Sequence, residues 1–344
     1  MAAASSADMN ATPPVTARFA WGLPKAELHL HLDTSLRPET AVELAKSRKV
    51  KVKTGEELIA PDDSPGLIEV LQRVEPALAI LQDLESLERC AAELAEDLCT
   101  DNVVYAEIRF APELHTRKGL KERAIIDAVW KGLGRGQFKS LRTRIIICAL
   151  RHMPAENALM AARTAIDNQD LGVIALDVAG DENAQPTEVF RAAFDLAHSQ
   201  NLRLTAHAGE AAGPQSVREA LDILGVTRIG HGVRSIEDMA LCERLKKDGI
   251  VLENCPTSNI VTKAVASWDA HPAARFLEMG IKVTINSDAR TLIRTTATDE
   301  LVRICRAHQL TRAQAARLVA NGFEGGFDVG PHKQNYIAAA LGAK

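Results

Sequence analysis

Eight short apolar segments recur along the chain, and this recurrence constrains the fold more than any other feature. Each is followed by a longer stretch with helical periodicity, which is typical of alternating strands and helices. The predicted strands are 26–33, 103–110, 144–150, 173–178, 203–208, 228–232, 250–254 and 282–286. No two of them are joined by a two-residue Asn-Gly or Asp-Gly turn, the usual signal of a hairpin. The strands are therefore predicted to be parallel, because parallel pairs need connections of a dozen or more residues.

Eight parallel strands can close into a barrel or lie open as a doubly wound sheet, and their number does not distinguish the two. No G-x-G-x-x-G segment follows the first strand, and polar residues stand at the ends of many strands, as they do in barrels. We therefore predict an α/β fold, a (β/α)8 TIM barrel. The gap from 34 to 102 predicts additional helices, because it is too long for one crossover helix. Apolar residues expected to form a wall there are Leu67, Ile68, Leu71 and Val74.

The length of 344 residues allows about two domains or one barrel. Residues 1–18 are rich in Ala, Ser, Thr and Pro and lack the features of a secretory signal. We predict a disordered N-terminal tail over 1–18 and a single metal-dependent hydrolase barrel domain over 19–344.

Charge and cysteine usage limit the partners and the compartment. The chain has 41 Lys+Arg and 45 Asp+Glu, a net charge of −4, and no basic block, which disfavours nucleic-acid binding. No apolar run reaches the roughly 20 residues that cross a bilayer. The six cysteines are scattered and form no C-x-x-C pair. We therefore expect reduced thiols and a cytoplasmic location.

Histidines stand near the ends of several predicted strands. His29 and His31 lie two residues apart on the first strand, so their side chains share a face. His207 lies near the end of the fifth strand, and Asp288 follows the eighth. Three histidines and one carboxylate, with a position left for water, are the pattern of a catalytic zinc site. The sequence therefore predicts a metal site at these four residues.

Two further polar residues, Glu210 and His231, lie near the same strand ends and remain available for proton transfer. A bound metal lowers the pKa of its water to about 7, so the predicted reaction class is hydrolysis. A single carboxylate at such a position is more often a helix cap or a surface group, and the combination favours catalysis.

The segments PKAELHLHLD, YAEIRFAPELH, LDVAGDE, HAGE, GHG, CPTSN and NSD, in this order and spacing, resemble the adenosine deaminase family of zinc-dependent (β/α)8 amidohydrolases. The resemblance runs from about Leu23 to the last helices. It implies an enzyme of purine salvage that hydrolyses adenosine, and 2′-deoxyadenosine, with release of ammonia; adenosine gives inosine. It also implies one Zn²⁺ per chain, or another divalent ion, on the four residues above, and a purine nucleoside as the small-molecule partner.

The resemblance also implies roles for individual residues. Glu210 falls on the acid that protonates purine N1, and His231 on the residue that orients the metal's water and takes its proton. Asp288 is both metal ligand and hydrogen-bond acceptor for that water. Gly180 matches the glycine whose N–H contacts purine N3, and Asp33 the carboxylate that binds the ribose hydroxyls. Glu210 then needs a water-poor pocket that raises its pKa, whereas His231 is expected to act near its normal pKa.

Two positions depart from the family pattern. Thr34 stands where the family usually has Gly, and a β-branched residue there is strained if φ is positive. Ala289 stands where a second aspartate usually contacts purine N7, and such a missing hydrogen bond costs about 1–3 kcal/mol. These departures keep open a deaminase of another 6-aminopurine, such as adenine or aminodeoxyfutalosine. A non-catalytic barrel that binds purine nucleosides is the alternative from another class.

Other polar residues have structural interpretations. His115 and His152 are interpreted as surface or capping residues, and His271 has no spacing that implies chemistry. Asp181 and Glu182 are predicted to fix the geometry of a loop.

Overall fold

A computed structural model describes residues 13–61, 63–135 and 140–343, and its eight strands form one parallel barrel. The strands are β1 (Lys25–His31), β2 (Val103–Phe110), β3 (Arg142–Leu150), β4 (Val173–Ala179), β5 (Arg203–Ala208), β6 (Arg228–His231), β7 (Val251–Asn254) and β8 (Lys282–Ile285). Each strand pairs in parallel with the next one along the chain. The predicted (β/α)8 TIM barrel is confirmed.

The barrel closes between β8 and β1 through the backbone of Asp288, three residues after the end of β8. The Asp288 N–H donates to the His29 carbonyl at 2.9 Å, and the His31 N–H donates to the Asp288 carbonyl at 2.8 Å. The side-chain oxygen of Asn286 accepts from the Leu28 N–H at 3.0 Å. The end of β8 is thus fixed beside the two alternating histidines of β1.

Helices surround the barrel, and those with a clear apolar face turn it toward the strands. They are α1 (Ala17–Gly22), α2 (Pro38–Arg48), α3 (Leu67–Gln72), α4 (Glu75–Ile80), α5 (Leu84–Thr100), α6 (Glu122–Arg135), α7 (Ala155–Asp167), α8 (Arg191–Ser199), α9 (Pro214–Ile223), α10 (Met239–Asp248), α11 (Pro256–Val261), α12 (Ala273–Met279), α13 (Ala297–Ala307), α14 (Arg312–Gly325) and α15 (Lys333–Leu341). Within the described ranges, no helix has both the length and the apolar character needed to span a membrane.

The predicted additional helices between β1 and β2 are present as α2 to α5. The apolar wall predicted there needs correction, because Ile68 is 54% exposed and Leu71 is 37% exposed. The short helix α3 instead turns Val70 inward, and Val74 packs beside it. Their partners are Ala60, Ala289, Leu292 and Ile293. This small cluster places α3 against the segment that follows β8.

The boundary of the predicted tail also needs correction. Residues 1–12 lie outside the described residues. Within 13–18, Pro14 forms an isolated bridge with Thr311, and α1 begins at Ala17 after the Thr16 hydroxyl accepts from the Phe19 N–H. The segment just before residue 18 therefore already has regular structure.

The barrel interior is strongly polar. Tyr105, Glu107 and Arg109 alternate on one face of β2 and are fully buried, as are Arg228 of β6 and Glu253 of β7. Arg228 donates to Glu107 at 2.5 Å and to Glu253 at 2.6 Å. Barrel interiors are usually filled by branched apolar side chains, whereas ion pairs occupy much of this one.

Candidate active site

The four predicted metal ligands meet at the carboxyl ends of the strands. Nε2 of His31 lies 3.3 Å from Nε2 of His207. Oδ1 of Asp288 lies 3.5 Å from His31 Nε2 and 3.6 Å from His29 Nε2. The structure therefore brings all four side chains into one cluster from β1, β5 and the segment that follows β8.

The donor set of this cluster fits a divalent metal ion. His29, His31 and His207 offer ligand atoms that lie within 4.8 Å of one another, and so do His29, His231 and Asp288. Nε2 of His29 is buried without a hydrogen-bond partner, which is rare in folded proteins. Burial lowers the pKa of His31 to about 3, so this imidazole is neutral, as a metal ligand must be.

Carboxylates hold the opposite ring nitrogens of two of these histidines. Glu253 lies 2.9 Å from Nδ1 of His29, and Asp177 lies 3.2 Å from Nδ1 of His207. Because each carboxylate accepts the Nδ1 proton, the lone pair of each Nε2 faces the cluster.

Two residues of the site have left-handed backbone, which is uncommon for residues other than glycine. His231 has φ 61° and Asp288 has φ 55°. Such conformations cost on the order of 1–3 kcal/mol each and tend to occur at functional sites. At Asp288 the two backbone hydrogen bonds to β1 hold the conformation.

Glu210 is buried beside the cluster. Its Oε2 lies 3.5 Å from His231 Nε2, and its Oε1 accepts from the Thr262 hydroxyl at 2.9 Å. Burial, followed by the nearby charge of Asp288, raises the pKa of Glu210 to about 8. The expected rise of this pKa is confirmed, and the carboxyl is protonated near pH 7.

Glu182 fixes the loop that carries Glu210. Its carboxylate accepts from the backbone N–H groups of Gly209, Glu210 and Ala212 at 2.6, 2.9 and 2.8 Å, and from the Ser216 hydroxyl at 2.7 Å. The predicted structural role of Glu182 is confirmed.

His231 differs from expectation in its pKa. Burial lowers the pKa of His231 to about 4, well below the normal value expected from the sequence. The ring is therefore neutral at pH 7. The side-chain nitrogen of Asn259 lies 2.9 Å from His231 Nδ1, and its oxygen lies 3.3 Å from His271 Nε2. His271, for which the spacing implied no chemistry, is therefore buried behind the site and supports Asn259.

Asp33 lies two residues after β1 and is buried beside His115. Burial raises the pKa of Asp33 to about 6. Nδ1 of His115 lies 3.0 Å from the Leu81 carbonyl, whereas its Nε2 has no hydrogen-bond partner and lies 4.0 Å from Asp33. His115 is not a surface residue, because its ring is fully buried. Its contact with the carbonyl of Leu81, which caps the end of α4, agrees with the capping role instead.

Gly180 follows β4 with φ 96°, a conformation that favours glycine. A Cβ at this position would lie 3.3 Å from His152 Nδ1. The backbone conformation therefore favours glycine, and the tight contact would need only a small shift of the exposed His152 side chain.

The two departures from the family pattern have different outcomes. Thr34 is not among the residues with positive φ, so the strain expected there does not arise. Its carbonyl accepts from the Thr291 N–H at 2.9 Å. Ala289 is buried in the small apolar cluster with Val70 and Leu292, so this position contributes apolar packing.

Sequence reasoning missed Arg109, Asp177, Glu253 and Asn259. The first three are charged residues within fully or largely buried strands, where β2 also carries Glu107. Their alternation with apolar neighbours, as in Tyr105-Ala-Glu-Ile-Arg109, was the available signal. Asn259 lies in the CPTSN segment, which carried no separate chemical prediction.

Comparisons with known sequences agree on one family. The family model described as "Adenosine deaminase" matches residues 24–339. An adenosine deaminase of Clostridium perfringens is 36% identical over 312 residues, covering 89% of this chain and 94% of the relative. One of Vibrio vulnificus is 35% identical over 325 residues, covering 92% and 98%.

Solved structures with the same fold include deaminases of different substrates. An adenine deaminase from Arthrobacter aurescens has TM-score 0.87 and 26% identity, covering 93% of this chain and 98% of its own. An Arabidopsis N6-mAMP deaminase has TM-score 0.85 and 27% identity, covering 95% and 100%. An amidohydrolase with bound Zn, from Burkholderia, has TM-score 0.85 at 24% identity, covering 97% and 94%, and supports the fold alone.

Proposed function

The chain belongs to the adenosine deaminase family and is a hydrolytic deaminase, and from this premise we propose that its substrate is adenosine, with 2′-deoxyadenosine as a second substrate. The products are inosine, or its 2′-deoxy form, and ammonia. The observation that carries the proposal is the buried Glu210, whose pKa burial raises to about 8, beside a His/Asp cluster of metal-binding geometry.

We propose that the cluster holds one Zn²⁺ ion. His29, His31, His207 and Asp288 would bind it, because their ligand atoms converge and the Nε2 of His29 is without another partner. A bound Zn²⁺ supplies Lewis acidity that makes water nucleophilic at neutral pH. Another divalent ion with the same ligand preference would serve the same purpose.

The protein's own side chains perform the proton transfers in this proposal. Glu210 donates its proton to purine N1, which makes C6 electrophilic. The neutral ring of His231 orients the attacking water and accepts its proton, and Asp288 accepts a hydrogen bond from the same water. The amino group leaves with a proton as ammonia. The net reaction consumes one water and gives one carbonyl at C6.

Substrate choice depends on the other two predicted contacts. Asp33 would accept hydrogen bonds from ribose hydroxyls, and the backbone N–H of Gly180 would contact purine N3. Asp33 is buried beside His115. This confined position suits recognition of a hydroxyl group better than recognition of a charged phosphate.

A second candidate function is deamination of another 6-aminopurine, such as adenine or aminodeoxyfutalosine. The apolar environment of Ala289 favours it, because this position offers no acceptor or donor to the purine. The structural relatives that act on adenine and on N6-mAMP show that this fold accommodates such substrates. A barrel that only binds nucleosides is disfavoured, because Glu210 and His231 are both present and buried.

One assay separates these functions. Adenosine is added to zinc-loaded protein, and the change in ultraviolet absorbance on conversion to inosine is followed, with adenine and N6-methyl-AMP in parallel. We expect turnover of adenosine at the highest kcat/KM. Turnover of another purine alone would overturn the proposed substrate, and binding of adenosine without any turnover would indicate a non-catalytic barrel.

The proposed setting is purine salvage in the cytoplasm. The scattered cysteines favour a reducing compartment. The net charge of −4 favours a small uncharged substrate over a nucleic acid.

A further inference from the structure

Arg109 of β2 is fully buried and contacts residues of three other strands. Its Nη1 donates to Asp177 at 2.8 Å, and its Nη2 donates to Glu253 at 2.7 Å and to the Leu28 carbonyl at 2.6 Å. One planar guanidinium therefore joins β2 to strands on three other parts of the barrel wall, β1, β4 and β7.

The two carboxylates that Arg109 joins are the ones that hold the cluster histidines. Asp177 accepts from His207 Nδ1 at 3.2 Å. Oε2 of Glu253, the oxygen that Arg109 contacts, also accepts from His29 Nδ1 at 2.9 Å. A continuous chain of hydrogen bonds thus runs from one histidine to the other through a single arginine.

We propose that Arg109 is a positioning residue that fixes the separation and orientation of His29 and His207, and so sets the affinity of the site for its metal. The proposal rests on the proposed metal site. Groups that orient metal ligands typically change metal affinity by about 10- to 100-fold when altered. Arg109 differs from an ordinary partner of this kind because it acts on two ligands at once.

The geometry of the side chain is what the role requires. A guanidinium presents several N–H groups in one rigid plane and contacts two carboxylates at fixed angles. A lysine at this position keeps the charge, but its compact ammonium cannot reproduce both contacts in that plane. Arg109→Lys therefore removes the fixed geometry while it retains the positive charge.

The second buried arginine of the barrel provides a contrast. Arg228 contacts Glu107 and the other oxygen of Glu253, and its guanidinium lies 3.6 Å from the centre of the Phe327 ring. Glu107 in turn accepts from the Tyr105 hydroxyl and from the Phe327 N–H. These contacts stabilise the barrel without reaching Asp177 or His207.

Glu107→Gln is therefore the matched control for Arg109→Lys. It alters a charged residue on the same face of the same strand, equally buried, that contacts neither Arg109 nor a histidine. Both variants are expected to lower the melting temperature of the metal-free protein. Only Arg109→Lys is expected to change the metal site.

The experiment measures the Zn²⁺ dissociation constant of the full chain by competition with a chromophoric chelator. We expect a loss of affinity of about 10- to 100-fold in Arg109→Lys, and less than about threefold in Glu107→Gln. The visible spectrum of the Co²⁺-substituted protein, which reports ligand geometry, should change only in Arg109→Lys. Unchanged affinity and spectrum in a folded Arg109→Lys protein would overturn the proposal.

Two further measurements keep the result decisive. If Arg109→Lys does not fold, Asp177→Asn and Glu253→Gln replace it. Each of these variants keeps a side-chain oxygen for its histidine but loses the ion pair with Arg109. Wild-type zinc affinity in both variants would overturn the proposal. In metal-free protein, NMR should show altered Nδ1–H signals of His29 and His207 in Arg109→Lys but not in Glu107→Gln. The NMR result does not depend on zinc or on the substrate, so it separates this inference from the proposed function.

Discussion

The side-chain nitrogen of Asn259 lies 2.9 Å from Nδ1 of His231, on the side of the ring away from the Nε2 that faces Glu210 at 3.5 Å. Asn259 also lies 3.4 Å from Glu210 itself. One amide group on α11 thus contacts both residues proposed to move protons.

Replacement of Asn259 by alanine is expected to lower kcat while the metal stays bound. The loss of hydrogen bonds to two buried groups costs about 1–3 kcal/mol, which corresponds to roughly 5- to 150-fold in kcat. Steady-state kinetics with adenosine, together with metal analysis, would check it. A variant with a raised KM and normal kcat would instead place Asn259 in substrate binding.

Glu210→Gln is expected to abolish turnover and leave the metal content unchanged. The amide keeps the shape of the side chain and a contact for the Thr262 hydroxyl, but it has no acidic proton for purine N1. Loss of a general acid typically costs about 10²- to 10⁴-fold. Near-normal activity in this variant would remove Glu210 from its proposed role.

The activity should fall at alkaline pH because Glu210 must be protonated. Burial raises its pKa from 4.5 to about 8, so the active form is present below that pH and is lost as the pH rises through it. The hydrogen bond from Thr262 acts in the opposite direction and lowers this pKa. Thr262→Val should therefore move the alkaline limb of kcat/KM to higher pH, and a shift to lower pH would contradict the assignment.

The stability of the fold should also depend on pH through Glu300, which is fully buried and accepts from the Thr257 N–H at the start of α11 at 2.9 Å. Burial raises its pKa from 4.5 to about 7, so the folded state binds more protons between these values. This contribution to the free energy of unfolding is complete below about pH 4.5 and is lost as the pH rises through about 7, an effect of about 3 kcal/mol.

Glu300→Gln should flatten that dependence. Urea unfolding of the wild type and the variant at pH 5 and at pH 8 would measure it. The free energy of unfolding of the variant should differ less between the two pH values than that of the wild type. An equal difference in the two proteins would show that Glu300 does not titrate in this range.

Asp33→Ala is expected to weaken binding of adenosine but not of adenine. The variant loses an acceptor for the ribose hydroxyls, which costs about 1–3 kcal/mol, or roughly 5- to 150-fold in KM. Adenine has no ribose, so its kcat/KM should stay the same and serves as the control. An equal loss for both compounds would mean that Asp33 supports the site as a whole.

Most of the barrel could be predicted because its signals are local. Short apolar segments marked the strands, and the spacing of two between His29 and His31 placed both side chains on one face. The position of α3 was less predictable, because Val70 rather than Ile68 turns inward in a helix of only six residues. A helix with so few turns shows only a weak periodicity of apolar residues, so its buried face is hard to predict.

The support of the site could not be predicted from local pattern. The Ser216 hydroxyl donates to Glu182 across 34 positions. The pairing of Arg109 with Glu253 spans 144 positions. Such contacts depend on which strands become neighbours across the barrel, and a single sequence does not specify this directly.

Asp288 closes the barrel with its backbone and directs its carboxylate into the histidine cluster. A ligand that holds this carboxylate in place therefore also stabilises the closure of the barrel between β8 and β1. Binding at the site and the stability of the whole barrel are therefore coupled through Asp288. A loaded protein should accordingly resist heat and proteolysis along its entire length, far beyond the few side chains that touch the ligand.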